Sequence, residues 1–104
     1  RLRYWQNNQQ TVWFLDEIGK ERPISFAVQV EKDKIQQIKV LAFRESRGDE
    51  IRMQAFTQQF DNITLDKNGH LSQPIDGITG ATMSVTAMKK VARVALMLAK
   101  HVNQ

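Results

Sequence analysis

Along the first part of the chain, apolar residues fall on every second position. Near the end they recur at helical spacing. Ile24, Phe26, Val28 and Val30 alternate with polar or small neighbours, the pattern of a strand with one face buried. Ile38, Val40 and Ala42 point to one side of a second such strand, with Lys39, Leu41 and Phe43 on the other. The charged stretch "EKDK" at 31–34 lies between them and predicts a hairpin. Upstream, "TVWFLDEI" at 11–18 reads as a first strand, with Trp13 and Phe14 as bulky packing groups. Pro23 ends the polar connection that follows it.

The alternation stops after Phe43. Gly48 marks a turn, and Ile51, Ala55 and Phe56 fit a short helix better than a strand. "ITLD" at 63–66 predicts a further strand, closed by the turn "DKNGH", and Pro74 ends a loop. Met88, Val91, Ala92, Ala95, Leu98, Ala99 and Val102 keep the i, i+3, i+4, i+7 spacing of one buried helical face. Ser84 is the expected N-cap, since its oxygen can accept an orphan N–H of the first turn. Strands followed by helices, without regular alternation, predict an α+β fold. The expected form is a small antiparallel sheet packed by a short helix and a long C-terminal amphipathic helix. Residues 1–104 are read as one domain, with 1–10 open to being a remnant of an N-terminal extension or anchor.

Composition narrows the function classes. No run of about 18 apolar residues is present to span a bilayer. The chain starts at Arg1 rather than Met, so it reads as trimmed, and an upstream export signal or anchor stays open. Its 15 Lys and Arg against 11 Asp and Glu give +4, a mild and scattered excess. Only Lys89, Lys90, Arg93 and Lys100 gather, as the solvated stripe of the last helix, so nucleic acid is not an expected partner. The absence of cysteine removes thiolate chemistry and Cys-ligated metals, so redox work would need an added cofactor. His70 and His101 are isolated, with no acidic partner at ligand spacing, and no metal site is expected. "DKNGH" lacks the acidic twelfth position of a calcium loop. Asn62-Ile63-Thr64 is a formal glycosylation sequon. Glu45 and Asp49 pair only as letters, and no nucleophile–base constellation emerges. Trp5, Trp13 and Phe14 are core aromatics on the simplest reading.

The stretch before the last helix, "DGITGATMS" from Asp76 to Ser84, is dense in small and hydroxyl-bearing residues. Glycine permits tight turns and close approach of a ligand. A helix N-terminus offers unpaired N–H groups and the positive end of the macrodipole. Gly77 to Ser84 can therefore cradle a phosphate, with the hydroxyls of Thr79, Thr82 and Ser84 as bonding or esterification sites. Ordinary loop and cap chemistry explains the same composition. Neither a Walker loop nor a dinucleotide fingerprint is present.

The string itself is more informative. "DGITGAT" resembles the flavinylation motif Asp-x-x-Ser/Thr-Gly-Ala-Thr of the FMN-binding domain family. That family includes peripheral subunits of the sodium-pumping NADH:quinone reductase and of the Rnf electron-transport complex. The resemblance implies that Asp76, Thr79, Gly80 and Ala81 fill the motif, and that Thr82 receives FMN through a phosphoester bond. A flavin transferase using FAD as donor makes that bond in the family. "FRESRGDEI" is similar to the family's Glu-Thr-Pro-Gly loop: Glu45, Ser46 and Gly48 match, and Arg47 stands where proline is usual. "FTQQF" at 56–60 is similar to the family's segment between loop and motif. The resemblance covers roughly residues 12–100.

These matches imply an electron-carrying flavin domain rather than a stand-alone enzyme. Its partners would be redox proteins of a membrane electron-transport chain, and its place the bacterial periplasm or the outer face of the cytoplasmic membrane. Gly77 and Ser84 join the expected cofactor-binding set with the motif and loop residues. The alternatives are a cofactor-free binding module, in which "DGITGAT" is only loop and cap, and a weak nucleic-acid binder using the helix cations.

Overall fold

Four antiparallel strands in the order β1-β2-β3-β4 form a meander, crossed on one face by a long helix. The computed structural model describes residues 3–103. The strands are β1 (Arg3–Asn7), β2 (Gln10–Ile18), β3 (Pro23–Glu31) and β4 (Lys34–Ala42). Short helical turns follow at Asp49–Arg52, Gln54–Thr57 (α1) and Gln58–Phe60, and the chain closes with α2 (Thr82–Val102). This is the expected α+β arrangement.

The predicted β3–β4 hairpin is present. Lys32 and Asp33 both adopt positive φ, 53° and 64°, so a two-residue turn with left-handed backbone conformation joins Glu31 to Lys34. Ile24, Phe26, Val28 and Val30 all face inward and are buried. A register shift between Gln29 and Val30 lets both Ile35 and Ile38 turn inward although three positions separate them, as an extra residue in one strand does. Against this sheet α2 buries Val85, Met88, Val91, Ala92, Ala95, Leu96 and Ala99. The small residues Ala92, Ala95 and Ala99 are fully buried and let the helix backbone lie close to β2 and β3. Leu98 and Val102, expected on the same face, pack at its margin and are only partly buried.

Trp13 is core, as its pattern suggests: it is 1% exposed, with the Tyr4 ring stacked at 4.3 Å. Its indole N–H is answered by Thr11 Oγ1 at 2.9 Å, so burying it leaves no orphan donor. Trp5 is exposed, and Phe14 is half-buried under the Arg3 guanidinium. Ile51, Phe56, Phe60, Ile63 and Ile75 complete the core beside β4. Phe60 is fully buried, and Phe60→Ala would cost about 3–5 kcal/mol.

The segment 1–10 adds a strand that no alternation announces. Arg3–Asn7 pair with β2 from Arg3↔Phe14 to Asn7↔Gln10 and form the edge of the sheet; Arg1 and Leu2 lie outside the described residues. Two expectations need correction. "ITLD" makes no strand. Asn62 has φ 66°, Ile63 turns into the core, and only an isolated bridge joins Leu65 to Leu71. Ser84 does not cap α2, because the helix already starts at Thr82 and Ser84 is buried within its first turn.

Candidate functional site

The chain reaches α2 through a tight turn. Ala81 N–H donates to the Ile78 carbonyl at 2.9 Å, with Gly80 between them at φ 80°. A side chain is strained in that conformation, so the turn requires glycine at 80. Ala81 is buried and serves as the N-cap without any side-chain cap. Thr82 follows as the first helical residue, with its side chain exposed. The early N–H groups of the helix are therefore left without a protein side-chain partner, at the positive end of the macrodipole.

Thr82 opens onto a groove of about 750 Å³ with three walls: the β2–β3 turn at 20–22, the loop at 44–47, and the chain at 80–84. Lys20, Arg22, Arg44 and Arg47 outnumber Glu21 and Glu45 on these walls. The balance is more positive still in effect, because Glu45 is turned to the protein. Its carboxylate accepts the backbone N–H groups of Lys20 (3.1 Å), Glu21 and Arg22 (2.7 Å). Successive N–H groups of this kind form an anion-binding concavity, here filled from within the chain. The bonds from Glu21 and Arg22 hold the Glu45 carboxyl below its ordinary value, with smaller help from Lys20. Arg44 is fixed as well, donating to Pro23 O at 2.6 Å and to Ser25 Oγ at 3.2 and 3.3 Å. Gly48, at φ 95°, lies behind the groove against Ser84.

The fold thus brings Glu45, Ser46, Gly80, Ala81, Thr82 and Ser84 to one groove, with Gly48 directly behind it. It does not bring Asp76, Gly77 or Thr79 there. Gly77 and Thr79 are exposed, and a Cβ on Gly77 would meet nothing within 4 Å. Asp76 lines a separate hollow of about 380 Å³ with Met53, Phe56 and Ile78 among its walls. Gln59 bonds to its backbone there.

Lys20, Arg22 and Arg44 escape a sequence reading, because each reaches the groove through pairing far along the chain. The local signal for Lys20 and Arg22 is the charged run "GKERP" between two strands, and Arg44 lies within "FRESRGDEI". Elsewhere the letters behave as solvent chemistry dictates. Lys89, Lys90, Arg93 and Lys100 are exposed on α2 or at its margin, and Lys90 pairs with Glu17 at 3.3 Å. Asp66 Oδ1 accepts N–H bonds from Asn68 and His70, which makes "DKNGH" a turn. Among the described residues no three His, Cys, Asp or Glu side chains gather as a metal site, and no helix is long and apolar enough to cross a membrane.

Two comparisons, with curated proteins and with solved structures, found no match. The family model for the FMN-binding domain matches residues 19–97, a span that takes in all three walls of the groove and the whole motif.

Proposed function

The chain belongs to the FMN-binding domain family, and on that premise we propose that it carries FMN on Thr82 through a phosphoester and relays electrons between protein partners. The observation that carries this reading is the exposed Thr82 side chain, on an uncapped helix N-terminus and at the mouth of a cation-lined groove. The residues fit a phosphate-bearing flavin. A groove of about 750 Å³ is of ligand size. The first-turn N–H groups and the macrodipole favour an anion beside Thr82. Arg44 adds a cation whose position is set in advance by Pro23 and Ser25, so little side-chain freedom is lost on binding.

When bound, FMN supplies the electron-carrying chemistry. The chain's own residues hold and tune. Glu45 keeps the 20–22 turn in place and with it Lys20 and Arg22 on the groove wall. Met83, 52% exposed, is the apolar group beside Thr82. Arg47 is exposed in the loop and has no ion-pair partner among the described residues, which leaves its charge to act on the groove.

The maturation partner in this reading is a flavin transferase, and the electron partners are redox proteins of a membrane-associated bacterial chain. The periplasm or the outer face of the cytoplasmic membrane suits a covalent carrier, since FMN lost there is not readily replaced. The test is the intact mass of the chain after co-expression with a flavin transferase. The expected result is a gain of one FMN less water, retained on denaturation and lost in Thr82→Val. A chain without the adduct, or an adduct that persists in Thr82→Val, would refute the assignment.

A further inference from the structure

Asp76 heads the motif but stands outside the groove, and one side chain accounts for where it is held. Gln59, in the turn Gln58–Phe60, accepts the Asp76 N–H on Oε1 at 2.8 Å. Its Nε2 donates to the Asp76 carbonyl at 3.4 Å and to the Phe56 carbonyl at 3.3 Å. The amide's orientation is not arbitrary, because an N–H donor must meet the oxygen and the two carbonyls must meet the nitrogen. A single half-buried amide thus satisfies both backbone groups of a residue 17 positions away. Among the described residues, no other hydrogen bond ties residues 73–77 to the body of the protein. Buried Ile75 supplies the adjoining anchor.

The Asp76 side chain is left free. It is exposed on the rim of the hollow and makes no hydrogen bond or ion pair among the described residues. A structural carboxylate in a loop ordinarily takes local N–H groups, as Asp66 does here. Asp76 has its backbone clamped and its carboxylate offered outward.

We propose that Gln59 is a positioning residue for flavin attachment, fixing the Asp76 backbone so that the transferase meets the carboxylate in one place relative to Thr82. This rests on Thr82 as the attachment residue. In that step Thr82 Oγ bonds to the FMN phosphorus of an FAD donor, and the donor's P–O–P anhydride breaks. The adenylate leaves with the electron pair, the hydroxyl proton passes to a base of the transferase or to water, and nothing is oxidised or reduced. A transferase that must align hydroxyl and phosphorus gains from a recognition group held still, since misplacement by about 1 Å can cost 100-fold.

The experiment uses this chain, a flavin transferase and FAD, with Gln59→Met as the length-matched variant lacking the amide. Gln59→Glu keeps the acceptor and removes the donors. Amide hydrogen exchange at Asp76 is expected to speed up in Gln59→Met. The kcat/KM of attachment should fall about ten-fold or more, with Gln59→Glu in between. Asp76→Ala added to Gln59→Met should cost nothing beyond Asp76→Ala alone, because the clamp acts only through that carboxylate. Attachment at the unaltered rate in both Gln59 variants, or losses that add fully with Asp76→Ala, would overturn the proposal while leaving Thr82 in place. Absence of flavin on the unaltered chain would remove the Thr82 reading and this one with it.

Discussion

A Cβ built on Gly48 would lie 2.6 Å from Ser84 Oγ and 3.3 Å from Ser84 Cβ. The loop after β4 therefore touches the first turn of α2 only because residue 48 lacks a side chain. This contact sets one wall of the groove against another.

Gly48→Ala should destabilise the fold by about 2–4 kcal/mol, combining the left-handed φ with overpacking. Ser84→Ala in the same chain removes the atom at 2.6 Å but leaves the Cβ at 3.3 Å and the backbone strain. The double variant should thus recover part of the loss. Chemical denaturation of the four chains measures this, and losses that simply add would mean that the two residues do not meet.

Glu45 gives a pH-dependent prediction. Its folded pKa is depressed by N–H bonds from Glu21 and Arg22. The stability it contributes is present above its ordinary value of 4.5 and is lost as pH falls through the lower folded value. Glu45→Gln resembles the protonated acid, so it should be less stable than the unaltered chain at pH 7, with the difference shrinking on acidification below about 4.5. Urea midpoints of both chains across pH check it. Taking the difference cancels Asp66, whose carboxyl is lowered in the same direction by its bonds from His70 and Asn68. A constant gap at all pH values would deny Glu45 its role in the turn.

Asp76→Asn should leave stability within about 0.5 kcal/mol, as expected for an exposed residue whose side chain has no partner. It should slow attachment of flavin to Thr82. Parallel thermal melts and a time course of adduct mass separate the two effects. A variant modified at the normal rate would reduce Asp76 to a loop residue.

The features legible in the sequence are those written locally. The alternation of Ile24, Phe26, Val28 and Val30 and the spacing from Met88 to Val102 are one-dimensional records of which face is buried. "DGITGAT" is a local record too, and it makes the FMN-binding family legible over a span that the family model matches. Arg3–Asn7 leaves no such record because every residue of that edge strand is exposed, so burial writes no period into it. Ser84 reads as a cap because letters do not tell that the helix begins two residues earlier, at Thr82, after a turn at Gly80. The groove's cations and Gln59 depend on residues brought together across about 15 to 60 positions by sheet pairing and chain return, which no local pattern encodes.

Arg47 yields the last prediction, on the potential of the bound flavin. Reduction adds negative charge to the ring system, so a nearby cation favours the reduced form and a nearby carboxylate disfavours it. Arg47 lines the groove, is exposed, and has no ion-pair partner among the described residues. Arg47→Glu should therefore lower the midpoint potential while leaving attachment intact, since it leaves Thr82 and the clamp on Asp76 unchanged. Two unit charges in water at contact interact by about 1 kcal/mol, roughly 40 mV per electron. Solvent and salt reduce that for an exposed loop, so a shift of tens of millivolts is the ceiling. Arg47→Gln should move the potential about half as far, and raising the ionic strength should draw all three values together. Redox titration of the flavin-loaded chains in low and high salt checks both features. Equal midpoints at low salt, or an upward shift in Arg47→Glu, would mean that Arg47 does not act on the flavin.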